Sequence, residues 1–189
     1  MARGERTMQI ETTRLLLRDF TPHDVQEVHA FDSDPELTRY RGGGRVTEAE
    51  SAAFIERTQQ WQHSEPRSTY AFAIVLKEHA KLVGVVGLLI TKRELDEAEL
   101  WYRLSRAYWK QGYTTEAAGA LLSFAFRDLR LHRIFAMCHP ENIGSWRVME
   151  KLGMQYEGRL RESYPRGDGT WCDSLLYGIL AHEWRDRTS

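Results

Sequence analysis

The residues best suited to chemistry lie in one stretch, Glu99 to Ala117, which begins as a strand and ends as a helix. Between the two, Lys110, Gln111 and Gly112 form a polar corner that leads into an apolar helix beginning near Thr114. Backbone N–H groups at a helix N-terminus have no partners inside the helix, and together with the helix dipole they attract anions such as phosphate. The stretch therefore predicts an anion site at this corner.

Length and composition describe one globular domain. The chain has 189 residues, of which 42% are hydrophobic and 28% are charged, the proportions of an ordinary globular protein. We expect a flexible N-terminal extension over residues 1–8 and a single domain over residues 9–185. The net charge of -1 does not favour electrostatic binding to nucleic acid.

Location and metal content are predicted from what the sequence lacks. No stretch approaches the roughly 20 apolar residues of a membrane helix, and no apolar run follows the charged N-terminus as it would in a secretory signal. The two cysteines, Cys138 and Cys172, have no metal-like spacing and are expected to be free thiols. A cytoplasmic protein that binds no metal, membrane or nucleic acid is expected.

The pattern of apolar residues predicts about seven strands and about four helices. The strands are expected over 9–18, 70–77, 82–90, 97–104, 132–138, 154–164 and 170–179. Helices are expected to begin at Thr21-Pro22, Thr47 and Asn142, where capping residues or a proline favour a helix start. A long helix is expected from Tyr113, and Asp34-Pro35 looks like a second, shorter start after the first. This order predicts an α/β (α+β) fold, with one mixed, mostly antiparallel sheet and helices on both faces.

Several local motifs together resemble those of the GNAT N-acetyltransferase superfamily. Residues 109–117 read Trp-Lys-Gln-Gly-Tyr-Thr-Thr-Glu-Ala, and residues 141–153 read Glu-Asn-Ile-Gly-Ser-Trp-Arg-Val-Met-Glu-Lys-Leu-Gly. With residues 11–18 and 168–173 they are most similar to the branch of RimJ- and RimL-type ribosomal-protein alanine acetyltransferases. Three residues depart from that branch: Lys110 and Trp101 replace glycines, and Thr114 replaces an alanine.

The resemblance implies that acetyl-CoA binds along this stretch. The pyrophosphate would accept hydrogen bonds from the backbone N–H groups of Gln111, Gly112, Tyr113, Thr114 and Thr115. The pantetheine would run beside the strand 97–104, near the backbone of Leu104, Ser105 and Arg106. The remaining residues expected at the cofactor are Asn142, Ser145 and Lys151; a solvated basic face is an equal alternative for Lys151, and simple helix capping for Asn142.

Acetyl transfer to an amine also requires a base and an acid. Glu99 is the expected base, because several families of this superfamily carry a glutamate on this strand; Asp173 and Glu162 are the alternatives. Alternation along the strand puts Glu97, Glu99 and Trp101 on one face. Ser145 corresponds to a serine acid proposed for the RimL-like branch, and Tyr177 and Tyr102 remain alternatives.

The acceptor is expected to be a peptide N-terminus or a small amine. The resemblance implies that it meets the N-terminal helices, the loop after them and the last hairpin. The residues expected to bind it are Tyr40, Arg41, Trp61, Trp101, Tyr164 and Asp173. A monomer or a homodimer is expected. An alternative is a non-catalytic acyl-CoA-binding sensor that acts through a partner protein.

Overall fold

The computed structural model describes residues 8–40, 45–166 and 169–188, the last four of them by their backbone alone. One eight-stranded sheet has the order β1-β2-β3-β4-β5-β6-β8-β7, and every neighbouring pair is antiparallel except β5 and β6. The strands are β1 (Gln9–Glu11), β2 (Leu15–Arg18), β3 (Thr69–Leu76), β4 (Lys81–Lys92), β5 (Glu97–Leu104), β6 (Arg133–Cys138), β7 (Gln155–Pro165) and β8 (Trp171–Leu180).

The sheet has eight strands, whereas about seven were predicted, because the first predicted strand folds back on itself and forms both β1 and β2. Thr12 donates its backbone N–H to Leu15 O (2.9 Å), and the Thr12 hydroxyl accepts the Leu15 N–H (2.9 Å). The resulting turn lets β1 pair antiparallel with β2, with Gln9 opposite Arg18. The turn carries Arg14, which becomes important at the candidate site.

The described part of the chain contains six α-helices. They are α1 (Val25–Asp32), α2 (Pro35–Thr38), α3 (Glu48–His63), α4 (Tyr113–Arg127), α5 (Ile143–Lys151) and α6 (Ala181–Thr188). The predicted start at Pro22 is a short 3₁₀ turn before α1, and α6 is an addition to the prediction. None of the described helices is both long and apolar enough to cross a membrane.

Two hydrophobic cores lie on opposite faces of the sheet. Helices α1 and α3 bury Val28, Phe31, Phe54 and Ile55 against one face, mainly over β3 and β4. Helices α4 and α5 cover the other face with buried residues such as Ala117, Ala118, Leu121, Leu122 and Met149. Because successive strand residues point to opposite faces, Leu100 joins the α4 core whereas Trp101 packs on the α3 core. The predicted two-faced α/β sheet is confirmed.

Candidate active site

The two parallel strands separate partway along the sheet and leave a wedge-shaped opening. The pairing of β5 with β6 covers only three positions and ends at Glu99 opposite Phe135. Beyond it β5 continues to Leu104, and β6 continues to Cys138. Helix α4 follows the open end of β5, and α5 follows the open end of β6. The wedge therefore brings the starts of both helices to one place in the fold.

The backbone of β5 presents polar groups to this wedge. Ser105 donates its N–H to Val83 O of β4 (2.8 Å), and in an antiparallel pair the bonded residues alternate along the strand. The backbone groups of Leu104 and Tyr102 consequently point away from β4, toward the wedge. The Leu104 carbonyl accepts a hydrogen bond from the Trp109 indole (2.7 Å). The backbone N–H of Leu104 points into the opening, a direction that suits contact with a pantetheine or a thioester.

The corner before α4 has the geometry of an anion site. Gly112, the N-cap, is left-handed (φ 82°) and α4 has no side-chain cap. In the described part of the chain, no hydrogen-bond partner is found for the N–H groups of Gly112, Tyr113, Thr114 or Thr115. Four open donors at the positive end of a 15-residue helix suit a phosphate group.

Lys110 also adopts a left-handed conformation (φ 63°). Glycine adopts this conformation readily, which accounts for the glycine that the similar motif has at this position. A side chain at such a φ is strained, since the Cβ atom crowds the following carbonyl oxygen.

A salt bridge from the N-terminal turn holds this corner. The Arg14 Nε donates to Glu116 Oε2 (2.6 Å), Arg14 Nη1 donates to Gln111 O (3.0 Å), and the guanidinium lies 4.4 Å from the centre of the Tyr113 ring. Neither Arg14 nor Glu116 is among the predicted site residues. The available signal was that both belong to motifs of the family resemblance, at residues 11–18 and 109–117.

Ser145 and Tyr102, two alternative acids, lie together at the wedge. The Tyr102 hydroxyl is 3.0 Å from Ser145 O and 3.1 Å from Ser145 Oγ. Asn142 caps α5 by accepting the Ser145 N–H (3.2 Å), which fixes the position of the serine. Burial raises the pKa of the Tyr102 hydroxyl above its usual range, so it remains a proton donor. The third alternative, Tyr177, is buried in β8.

The thiol of Cys138 completes this group at the end of β6. It is buried and hydrogen-bonds with Ser145 and with the backbone of Trp146. Burial raises the pKa of the Cys138 thiol to about 11, and the two hydrogen bonds only partly offset that effect. The thiol therefore stays protonated at neutral pH and is a poor nucleophile.

Glu99 and Glu97 lie on the same face of β5 but in different surroundings. Glu97 accepts from Arg133 (3.0 Å) and lies 3.5 Å from Lys92. Glu99 is half-buried, and within the described residues no side chain pairs with its carboxylate. Burial raises the pKa of Glu99 above its ordinary value. A half-buried carboxylate with a raised pKa, at the point where two strands separate, is typical of a general base.

The alternative bases on the last hairpin are less suited to that role. Asp173 accepts from the Glu162 N–H (2.9 Å) and from Arg159 Nε (2.6 Å). These hydrogen bonds lower the pKa of Asp173, which makes it a weaker proton acceptor. Glu162 is exposed and has a left-handed backbone (φ 48°).

Trp101 fits on the sheet because of a glycine on the neighbouring strand. Trp101 is directly opposite Gly87 on β4, and a Cβ atom at Gly87 would overlap the indole ring. The ring also meets Phe54 edge to face, with centroids 6.4 Å apart, and Phe54 meets Trp61 at the same distance. Trp61 and Trp101, two predicted acceptor residues, thus share one half-buried aromatic cluster on the Glu99 face.

The remaining predicted residues are scattered around the wedge or beyond it. Tyr40 stacks on His139, which directly follows β6, with ring centroids 5.3 Å apart. Tyr164 is 43% exposed on β7, and Arg106 forms an ion pair with Asp34 (3.0 Å). Lys151 is exposed at the far end of α5, about 9 Å along the helix axis from Ser145. Arg41 lies outside the described residues.

Comparison with known proteins agrees with this architecture. Residues 14–155 match the family described as Acetyltransferase (GNAT) domain. The chain is 35% identical to the uncharacterized N-acetyltransferase YnaD of Bacillus subtilis, over 94% of this chain and 99% of that protein. A solved GNAT-family acetyltransferase from Bacillus anthracis superposes with a TM-score of 0.82 at 34% identity, covering 93% of this chain and 99% of the other.

The fold also matches a neighbour of RimJ type. The structure of Mycobacterium smegmatis RimJ in complex with CoA-disulfide superposes with a TM-score of 0.78 at 20% identity. The match covers 96% of this chain and 94% of that one. At this identity the likeness concerns the fold alone.

Proposed function

The chain belongs to the GNAT acetyltransferase family, and we propose that it transfers an acetyl group from acetyl-CoA to a primary amine. The observation that carries this proposal is Glu99: a half-buried carboxylate, with no side-chain partner in the described residues, where β5 and β6 separate. The neighbouring Glu97 is ion-paired. An unpaired carboxylate costs stability when it is partly buried, so a role in chemistry accounts for it best.

The acetyl-CoA donor is supported by the fit between the fold and its chemical groups. Bound acetyl-CoA would supply the thioester that carries the acetyl group. The open N–H groups from Gly112 to Thr115 suit its pyrophosphate, because they combine hydrogen-bond donors with the positive end of α4. The wedge suits the pantetheine, since the N–H of Leu104 points into it and can bond an amide or carbonyl oxygen there.

Glu99 would act on the acceptor amine. An alkylammonium has a pKa near 10, so it must lose a proton before it can attack a thioester. A carboxylate whose pKa is raised by burial accepts that proton more readily than an ordinary one. Trp101 follows on the same face of β5 and would form one wall of the acceptor path.

A hydroxyl pair would supply the proton for the departing sulfur. Tyr102 and Ser145 are hydrogen-bonded to one another, and burial keeps the Tyr102 hydroxyl protonated. The wedge lies between the strand of Tyr102 and the helix of Ser145. Either hydroxyl can donate a proton to the departing sulfur, and the pair would then regain one proton from solvent through their hydrogen bond.

The acceptor class we propose is a small amine or a peptide N-terminus. The Glu99 face carries the aromatic rings of Trp61 and Trp101, and Tyr40 stands at the end of β6. Aromatic faces attract an ammonium group and pack on its carbon atoms. A carboxylate beside them is complementary to the amine before it is deprotonated.

Release of CoA thiol tests this function. Acetyl-CoA is offered with a panel of small amines and of peptides with free N-termini, and free thiol is followed with time. We expect release with at least one acceptor, and a rate that falls in Glu99→Gln. Tight binding of acetyl-CoA without thiol release with any acceptor would instead favour a non-catalytic sensor.

A further inference from the structure

We propose that Arg14 is a positioning residue for the acetyl-CoA loop: it orients the loop from the turn between β1 and β2. This inference rests on the proposed function, because it assigns a task at the same anion site. Arg14 lies 97 positions before Gln111 in the chain, yet its side chain contacts the corner at three successive points. The N-terminal turn is thereby made part of the cofactor site.

The first point is the carbonyl of Gln111, which accepts from Arg14 Nη1 (3.0 Å). This carbonyl belongs to the peptide group that also carries the Gly112 N–H. In a planar trans peptide the C=O and N–H bonds point in opposite directions. By holding the carbonyl on its own side, Arg14 directs the Gly112 N–H, the first of the open donors, to the opposite side.

The second and third points secure the start of α4. The Arg14 guanidinium lies over the Tyr113 ring at 4.4 Å, and its Nε donates to Glu116 Oε2 (2.6 Å). Tyr113 is the first residue of α4 and Glu116 is in its first turn. A planar guanidinium has donors in a fixed fork, so one side chain sets the spacing between the loop and the helix.

The carboxylate of Glu116 is itself fastened to the N-terminal turn. Its Oε1 accepts from the Thr12 hydroxyl (2.6 Å) and from the Arg14 backbone N–H (2.9 Å). Burial alone would raise the pKa of Glu116, but these hydrogen bonds and the Arg14 charge outweigh burial and lower it. The carboxylate is thus ionised at neutral pH, and the ion pair persists over the range in which the enzyme would work.

The corner needs such support because the backbone of Lys110, a residue with a side chain, is strained in a left-handed conformation. Lys110 and Gly112 both have left-handed conformations (φ 63° and 82°), one on each side of Gln111. Strained conformations persist when the surrounding structure holds them. In the described residues, Arg14 is the side chain from outside the corner that bonds the Gln111 carbonyl.

Orientation, rather than charge alone, is the contribution that this geometry predicts. Glu116 lies 2.6 Å from Arg14 and largely offsets its positive charge. A lysine would keep the charge, but its ammonium lacks the planar fork that reaches Glu116 and Gln111 together. Arg14→Lys should therefore fail to restore what Arg14→Ala loses.

Equilibrium binding of acetyl-CoA by the full chain tests the proposal. We expect Arg14→Ala and Arg14→Lys each to raise the Kd by about tenfold or more, while kcat at saturating acetyl-CoA stays within about threefold. Arg18→Ala is the matched control, because Arg18 lies on β2 and pairs with the buried Asp24 (2.7 Å), away from the loop. That variant should lower the Tm and leave the Kd unchanged.

Two results would overturn the proposal. One is a wild-type Kd in Arg14→Lys, which would reduce the role to charge. The other is an equal loss of affinity in Arg14→Ala and Arg18→Ala, which would reduce it to general stability. The proposed function fails separately, if wild-type protein binds no acetyl-CoA or releases no thiol. The binding comparison requires no turnover, so the two failures are distinguishable.

Discussion

Two glutamates on one face of β5 offer a matched test of the base. Glu99→Gln removes the half-buried carboxylate without a side-chain partner, and Glu97→Gln removes the one paired with Arg133 at 3.0 Å. We expect Glu99→Gln to lower the transfer rate by about 100-fold, which corresponds to about 2.7 kcal/mol of barrier. Glu97→Gln should change the rate little.

The two variants should rank in the opposite order by stability: Glu97→Gln, which keeps the rate, should be the less stable one. Burial raises the pKa of Glu99, so folding disfavours its ionised form, and the charged group destabilises the fold above its ordinary pKa of about 4.3. At neutral pH, Glu99→Gln should therefore leave the free energy of unfolding equal or higher. Glu97→Gln should lower it by about 1 kcal/mol, because an ion pair is lost.

The pH profile adds an independent readout. The wild-type rate should rise with pH through the pKa of Glu99, which lies above its ordinary value, and this rise should vanish in Glu99→Gln. Deprotonation of the free amine at higher pH should remain in both proteins. The assays are thiol release across pH and denaturant unfolding. A Glu99→Gln rate within a few-fold of wild type, with the same pH profile, would refute Glu99 as the base.

Three further expectations concern other residues of the site. Ser145→Ala and Tyr102→Phe should each lower kcat by only about tenfold, because the remaining hydroxyl can still donate, whereas the double variant should lose about 100-fold or more; a double variant no worse than either single one in steady-state kinetics would contradict this. Trp101→Ala should cost about 2–3 kcal/mol in denaturant unfolding and extend the acceptor panel to bulkier amines; an unchanged panel would remove Trp101 from the acceptor path. Lys110→Gly should raise the free energy of unfolding by about 0.5–1 kcal/mol, by relieving the left-handed strain, and should retain acetyl-CoA affinity; a loss of stability would show that the lysine side chain makes contacts that outweigh the strain.

Local signals predicted most elements, because the groups that define a helix start or a hairpin are close in sequence. The capping box at Thr47 and Glu50 is an example: the Glu50 carboxylate accepts the Thr47 N–H (2.7 Å) where α3 begins. The hairpin of β3 and β4 likewise appears where its length predicted it. The first strand was predicted wrongly as continuous, since its turn depends on a hydrogen bond of Thr12 that composition does not show.

Relations between distant residues could not be predicted. The Arg14–Glu116 pair spans 102 positions, and the fit of Trp101 on Gly87 depends on the register of β4 against β5. The different surroundings of Glu99 and Glu97 could not be predicted either, because both are glutamates on one strand face. Only the surrounding cations, Arg133 and Lys92, separate the paired carboxylate from the unpaired one.

The central claim, transfer of acetyl from acetyl-CoA to an amine, is tested most directly by following a labelled acetyl group. The full chain is given acetyl-CoA with an isotope-labelled acetyl group and an acceptor that supports thiol release, and the products are separated by mass. The prediction is one labelled acetyl-amide for each CoA thiol released. Thiol release with the label recovered as free acetate would contradict transfer and indicate hydrolysis instead.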